Sequence, residues 1–473
     1  MTSRTVRLGI DVACRSKHRA SLADEAGQFV WTGRRFGTTP PDLDALWEAI
    51  PDDAAVTVVM EPTRNAWVPL AAWLQAHGAD VVLVPPEQSA DLRDYYNKHT
   101  KTDRLDSRVL ARLPLLHPEG LQPIDSLGPA EPLKRAVRRR SSLIKRRSAT
   151  FLRIDALLEL LGPVWADVLG SGEHGKTVLA VLERCADPRA LKRLGRRRLT
   201  ALLVRHSRGA WREDKADALL AAADETLALW QHGAALDFAE LAEDLAGEAR
   251  LARQLTEEIA AADERITALY GDADPAGIVV SVPGLQITLA AGILGRLGDP
   301  HRFADLAGVR AFTGLVPGVD QSGNRHRHGP PTKAGDPGLR EALYLAAEQV
   351  RKVDPTFAAK YHRLIIDQGK HHVSAICTLA PMLATRIAAC WRNGERYVLR
   401  DVDGTKITET DGRKICAQRY TVPPQVRAAR RKTSAAKQHK KRTDRREKKS
   451  TDTAAPAPSP STTNRTEKAV RAA

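Results

Sequence analysis

No stretch of the chain approaches the roughly 18 uninterrupted apolar residues that a membrane-spanning helix requires. The N-terminus runs straight into a strand-like segment, with no apolar signal segment before it. A cytoplasmic protein without a membrane partner is expected. Paired cysteines are lacking too: Cys14, Cys185, Cys377, Cys390 and Cys416 stand far apart and never form a C-x-x-C pair. That spacing suggests neither a zinc site nor a disulfide framework, and the five read as ordinary thiols.

What the chain has in excess is positive charge, and its location is informative. The formal net charge is +16 over 473 residues, enough chain for two or three domains. Residues 427–449 hold twelve Lys or Arg against two acids, and residues 134–153 hold nine against none, which leaves the rest of the chain at about −3. A near-neutral body carrying concentrated basic blocks suits a polyanion, because each phosphate neutralised by Lys or Arg releases condensed counterions. A merely solvated charge run is the competing reading of the tail.

Alternation of Val6, Leu8 and Ile10 predicts a first strand, with residues 27–33 as its hairpin partner. Residues 56–61 (VTVVME) and 80–85 (DVVLVP) predict further strands on either side of a helix at 66–77, so an α/β domain with a partly parallel sheet is expected. Residues 103–113 predict a short helix that stops at Pro114. From 131 to 161 the pattern is long, basic and helical. In 241–269 a seam of Leu241, Leu245, Glu248, Ala252, Leu255, Ile259, Ala262, Ile266 and Leu269 follows alternating four and three steps, as in a coiled coil. These two helices pair either with each other or with another subunit. Residues 162–235 contain helical fragments and an Arg cluster at 196–198 without an assigned role. A third, mainly helical unit starts near Pro275. Its residues 278–298 predict a helix, a Pro283-Gly284 turn and a second helix, either a phosphate-facing hairpin or a plain packed turn. A polar, Gly-rich loop over 317–338 and helices at 338–353 and 371–391 follow, and the composition beyond 424 predicts a disordered basic tail. The divisions are 1–130, 131–274, 275–423 and 424–473.

Two constellations carry chemistry. Asp11 in the first strand, Glu61 at the end of a later one, and Asp103 and Asp106 three apart on the short helix converge if the strand ends are neighbours and the helix crosses them. Carboxylates that close repel one another unless divalent cations neutralise them, and hard oxygen ligands suit Mg²⁺, with Mn²⁺ able to substitute. Such ions polarise a scissile phosphate. Around Ser322, the residues Arg325, Arg327, Lys333, His326 and His328 would attract a phosphate. Serine is weakly nucleophilic on its own and needs help from elsewhere in the chain. On the helix at 134–153, Arg138, Arg139, Arg140, Lys145, Arg146 and Arg147 are candidate backbone contacts.

The segments GIDVACRSKH (9–18), MEPTRNAW (60–67), KTDRLDSRVLAR (101–112), SVPGL (281–285), LAGVRAFTGLVPG (306–318), QSGNRHRHG (321–329) and TKAGDPGLREALY (332–344) resemble, in order and spacing, the insertion sequence one hundred and ten family of transposases. The resemblance implies a RuvC-like, RNase H-type domain with an Asp-Glu-Asp-Asp tetrad, a coiled-coil arm and a transposase domain with a catalytic serine. By position these residues become Asp11, Glu61, Asp103, Asp106 and Ser322. It further implies a bridge RNA that pairs with donor and target DNA, and a dimer or tetramer that exchanges strands. Departures are Ala13 and Cys14 after Asp11-Val12, Arg64 in place of a usual Gly, and Gln286 where a second Gly is common. The rival readings are a metal-dependent junction-resolving nuclease in which water attacks, and a nucleic-acid scaffold without catalysis.

Overall fold

The computed structural model describes residues 4–84, 103–116, 121–123, 131–231, 236–322, 325–333 and 335–436. They form two compact units, Met1–Pro129 and Ala130–Ala473.

The first unit is built on a mixed sheet of β1 (Arg4–Asp11), β2 (His18–Ala23), β3 (Phe29–Phe36), β4 (Ala54–Met60), β5 (Asp80–Leu83) and the two-residue β6 (Gln122–Pro123). Their order is β3-β2-β1-β4-β5-β6. β1 is antiparallel to β2 and parallel to β4, and β4 is parallel to β5. Parallel neighbours need a crossover, and α1 (Pro40–Trp47) and α2 (Trp67–Ala76) stand between the parallel strands in sequence. Val6, Leu8 and Ile10 of β1 and Val56, Val58 and Met60 of β4 bury one face against Leu43, Leu46, Leu70 and Leu74 of these helices. The opposite face carries α3 (Asp103–Leu116), whose Val109, Leu110 and Leu113 pack with Val59 and Val84.

Two expectations need correcting here. Residues 27–33 do not pair with the first strand, because His18–Ala23 intervenes and pairs with both neighbours. Ala20 and Ser21 of that strand are fully buried although neither is large or strongly apolar, so the strand left little trace in the hydrophobic pattern. The short helix also does not stop at Pro114 but runs through it to Leu116.

Among the described residues the second unit is mainly helical, with one two-stranded hairpin. α4 (Glu131–Leu161) packs along α9 (Phe238–Ala273). Between them in sequence lie α5 (Pro163–Leu169), α6 (Lys176–Cys185), α7 (Pro188–Ser207) and α8 (Glu213–Leu229). These helices enclose a core around Trp165, whose indole N–H donates to Thr226 Oγ1 at 2.8 Å. α7 breaks at Gly195, where φ is 76°. On α9 the buried line runs Leu241, Leu245, Ala249, Ala252, Leu255, Ile259, Ala262, Ile266 and Tyr270. Glu248 and Leu269, expected in the seam, yield to the residues that follow them, as a straight 3.6-residue helix drifts from a 3.5 repeat.

Next come α10 (Ile287–Leu297), α11 (Leu306–Phe312), β7 (Pro317–Ser322), β8 (Arg325–Pro331), α12 (Pro337–Val350), α13 (Pro355–Ile366), α14 (His372–Asn393) and α15 (Glu409–Arg419). α14 is the one helix among the described residues long and apolar enough to cross a membrane. Its Ile376, Leu379, Leu383 and Ile387 are buried in the protein core. That core also takes Leu133 and Val137 from α4 and Ile266 and Tyr270 from α9, so no packing boundary falls at 274/275.

Three sequence expectations differ from this unit. Residues 278–282 form turns rather than a helix, so only one helix flanks Pro283-Gly284. Gly284 has φ +78°, and a Cβ on it would stand 3.5 Å from the Gln349 backbone, which makes this a packed turn. The 317–338 loop is largely a two-stranded ribbon. Residues 424–436, expected as the start of a disordered tail, are helical; the remainder of the tail lies outside the described residues.

Candidate active site

Asp11 closes β1, and Glu61 follows directly on Met60, which closes the adjacent parallel strand in register with Ile10. The two carboxylates therefore occupy neighbouring positions at one end of the sheet. Strand alternation also assigns them a face. Gly9, two residues before Asp11, lies against α3: a Cβ built on it would stand 2.2 Å from the Ser107 carbonyl oxygen and 2.3 Å from the Ala111 nitrogen. Val59, two residues before Glu61, packs on Leu110 and Leu113 of the same helix. Asp11 and Glu61 thus belong to the face that α3 covers.

The direction of α3 follows from its contacts. Ser107 Oγ lies 2.9 Å from Ser21 Oγ, and Ser21 pairs with Gly9. Arg112 Nε donates at 2.9 Å to the carbonyl of Gly27, in the turn between β2 and β3, at the opposite end of the sheet from Asp11. Arg108 and Arg112 also stack over Phe29, at 4.7 and 4.3 Å from its ring centre. α3 therefore runs antiparallel to β1, and its N-terminal turn, bearing Asp106, heads toward the strand ends of Asp11 and Glu61. Asp103 opens α3 one turn earlier, and its side chain lies outside the described residues. Asp11, Glu61 and Asp106 are all half-buried. Among the described residues no three His, Cys, Asp or Glu side chains are gathered into a metal-binding group. The carboxylates of Asp11, Glu61 and Asp106 at this end of the sheet are hard oxygen donors, the kind that fits a hard divalent cation.

Arg64, in the turn after Glu61, has φ 50°, a left-handed conformation that explains why glycine suits this position. Its carbonyl accepts from the Trp67 indole N–H at 3.1 Å. Gln286, by contrast, caps α10 with φ −95°, where nothing demands a glycine.

Ser322 ends β7 and pairs across the ribbon with Arg325; Asp320 pairs with Arg327. Cross-strand partners and alternate residues share a face, so Ser322, Arg325 and Arg327 hold register positions on one face at the tip of the hairpin. At its base Thr332 N–H donates to Val316 O at 3.0 Å and Lys333 N–H to Gly314 O at 2.9 Å. Exposed Lys333 has φ 57°.

The basic helix α4 divides its cations between two situations. Arg138 lies 3.4 Å from Asp336, Arg139 lies 2.6 Å from Glu258, and Arg140 pairs with Asp263. Arg147 stands 3.5 Å from Glu173 and over the Phe151 ring. Lys145 and Arg146 are exposed and make no ion pair among the described residues. Sequence periodicity carries no sign of this division, because the acids that meet Arg138, Arg139 and Arg140 come from α9 and from the start of α12, more than 100 residues away.

Residues 8–163 match the family model for the DEDD-type transposase of IS110, described as "Transposase", and residues 276–362 match "Transposase IS116/IS110/IS902 family". An insertion element IS110 uncharacterized 43.6 kDa protein of Streptomyces coelicolor is 27% identical over 408 residues, covering 85% of this chain and 98% of that protein. An insertion element IS116 uncharacterized 44.8 kDa protein of Streptomyces clavuligerus is 28% identical over 387 residues, covering 80% and 93%. Transposases act on DNA, and the DEDD-type domain points to dependence on a divalent metal. The chain belongs to the IS110 family of insertion-sequence transposases.

Proposed function

We propose that this transposase cuts and rejoins DNA with a carboxylate set, Asp11, Glu61, Asp103 and Asp106, on an RNase H-like (RuvC-like) domain, and with Ser322 as the nucleophile. The observation that carries the reading is the adjacency of Asp11 and Glu61 at the ends of two parallel strands, on the face toward which α3 carries Asp106. These four residues would hold Mg²⁺ or Mn²⁺, which when bound polarises a phosphate and offsets charge developing on it.

In the cleavage step the Ser322 Oγ–P bond forms while one P–O bond to deoxyribose breaks. The serine proton ends on the released hydroxyl. A serine–phosphate diester conserves the energy of the broken bond, so rejoining to a new strand end reverses the step without an outside energy source. Arg325 and Arg327 hold the phosphate, supported by their register positions beside Ser322. Lys145 and Arg146, with the ion-paired arginines of α4, contact nucleic-acid backbone. By family resemblance the DNA partners are donor and target, a structured bridge RNA pairs with both, and the working form is a homo-oligomer, a dimer or tetramer.

The test of the serine is a suicide substrate. Wild-type protein on nicked element-end DNA yields a denaturation-resistant adduct, and mass spectrometry puts the nucleotide on the peptide containing Ser322. Ser322→Ala binds DNA but forms no adduct. A Ser322→Ala protein that cuts at the wild-type rate makes water the attacker and the chain a junction-resolving type of nuclease.

A further inference from the structure

At the N-terminal end of α14 the second unit has a cleft of about 520 Å³. His371 and His372 line one side, and Arg427 and Arg431, from the helix over 424–436, line the other. The basic helix is fixed in place. Val422 is buried, Val426 packs on the main core, and Arg430 donates to the carbonyl of Ile366 at 3.3 Å. These three positions are four apart and form the inward strip. Arg427 and Arg431 stand one residue further round, also four apart, and both are exposed.

The surroundings leave the cleft positive. Glu348 is the nearby acid, 3.5 Å from His372, and it is engaged by Arg351 and by Lys352 at 3.7 Å. Burial holds His372 below the ordinary histidine value despite Glu348, with Arg351, Arg427 and His371 pushing the same way as burial. Among the described residues neither Arg427 nor Arg431 forms an ion pair. The first turn of the 22-residue α14 adds the positive end of its dipole.

We infer that this cleft seats a backbone phosphate of a nucleic acid, held by Arg427 and Arg431 against the start of α14. A polymer fits better than a single phosphate ion, because the basic run begun at Arg427 continues to residue 449 with twelve Lys or Arg against two acids. The base of the tail is then a folded contact rather than part of a loose electrostatic appendage. This inference rests on the transposase reading only in taking nucleic acid as the ligand.

The test is fluorescence anisotropy on the full-length protein across a salt series, with a labelled DNA duplex and a labelled single-stranded RNA as separate probes. The double variant R427Q/R431Q is compared with K448Q/K449Q, which removes the same charge further along the tail. Removing one cation that neutralises a phosphate lowers the slope of log K against log salt by about 1. R427Q/R431Q should therefore lower the slope by about 2 on at least one probe, with K448Q/K449Q changing it less than half as much. The probe that responds identifies DNA or RNA as the occupant. Equal slope changes from the two double variants, or none from R427Q/R431Q, would overturn the seat. If the arginine effect holds in a protein whose Asp11→Asn variant still cleaves DNA normally, the seat stands and the carboxylate reading falls.

Discussion

Gly9 lies directly beneath Ser107, so close that a methyl group on Gly9 would stand 2.2 Å from the Ser107 carbonyl oxygen. The three obstructing atoms there, this oxygen and the Ala111 nitrogen and Cα, are helix backbone and cannot swing aside. Gly9→Ala therefore has to displace α3, and with it Asp106, at a cost of about 1–3 kcal/mol. Thermal melting should show that loss, and DNA cleavage should fall well beyond what the melting shift explains. Ser107→Ala, which removes one hydroxyl hydrogen bond to Ser21 but leaves the backbone in place, should cost only about 1 kcal/mol and keep cleavage. Normal cleavage by a folded Gly9→Ala protein would uncouple α3 from the site.

The pairing of α4 with α9 is internal to the chain, with Leu143, Leu255, Ile259 and Ala262 in one buried cluster. Leu255→Ala and Ile259→Ala should each destabilise the folded protein by about 2–5 kcal/mol. The mass in light scattering should stay that of the wild type. A fall in mass with unchanged melting would assign the seam to contact between subunits instead.

Asp336 joins three elements. It accepts from Gly338 N–H at 2.7 Å at the start of α12, lies 2.8 Å from Arg296 on α10, and lies 3.4 Å from Arg138 on α4. Burial disfavours its charge, yet Arg296, Gly338 N–H and Arg138 together hold its carboxyl below the ordinary value of 3.8. A carboxyl depressed in the folded state contributes stability above its unfolded pKa and loses it as pH falls through the folded one. Wild-type stability should therefore fall as pH drops below 3.8, and Asp336→Asn should flatten that part of the profile. At neutral pH the variant should cost about 3–5 kcal/mol, because the Arg296 side chain is only 8% exposed and would be left without its counter-charge. Identical pH profiles for the two proteins would remove this ion pair from the stability of the unit.

The parts of the fold legible in the sequence were those written in strong periodicity. Val6, Leu8 and Ile10, the VTVVM run and the long spacing on α9 each carry enough buried apolar surface to reveal their element. β2 escaped because its buried residues include Ala20 and Ser21, whose burial follows from neighbours on both sides rather than from their own hydrophobicity. The β7–β8 ribbon escaped because Gly, Pro, His and Arg dominate it and the pattern of apolar alternation is absent. For the candidate site, the adjacency of Asp11 and Glu61 depended on a parallel pairing that alternating strands and helices do suggest. The closeness of α3 to the sheet depended on Gly9, which looks like any other strand glycine until the Ser107 carbonyl is set above it. The ion pairing of Arg138, Arg139 and Arg140 was beyond reach, since their acids become neighbours only after the long helices pack.

The central claim, that carboxylates at the end of the β1–β4 pair run the DNA chemistry, is tested most directly by the cleavage rate of Asp11→Asn on element-end DNA in Mg²⁺. The substitution keeps the size and removes the charge, exchanging one acceptor oxygen for an NH₂ donor. The predicted result is loss of strand cleavage with the melting temperature and DNA affinity of the wild type retained. Wild-type cleavage by Asp11→Asn, or undiminished cleavage by the native protein in excess chelator, would contradict the account.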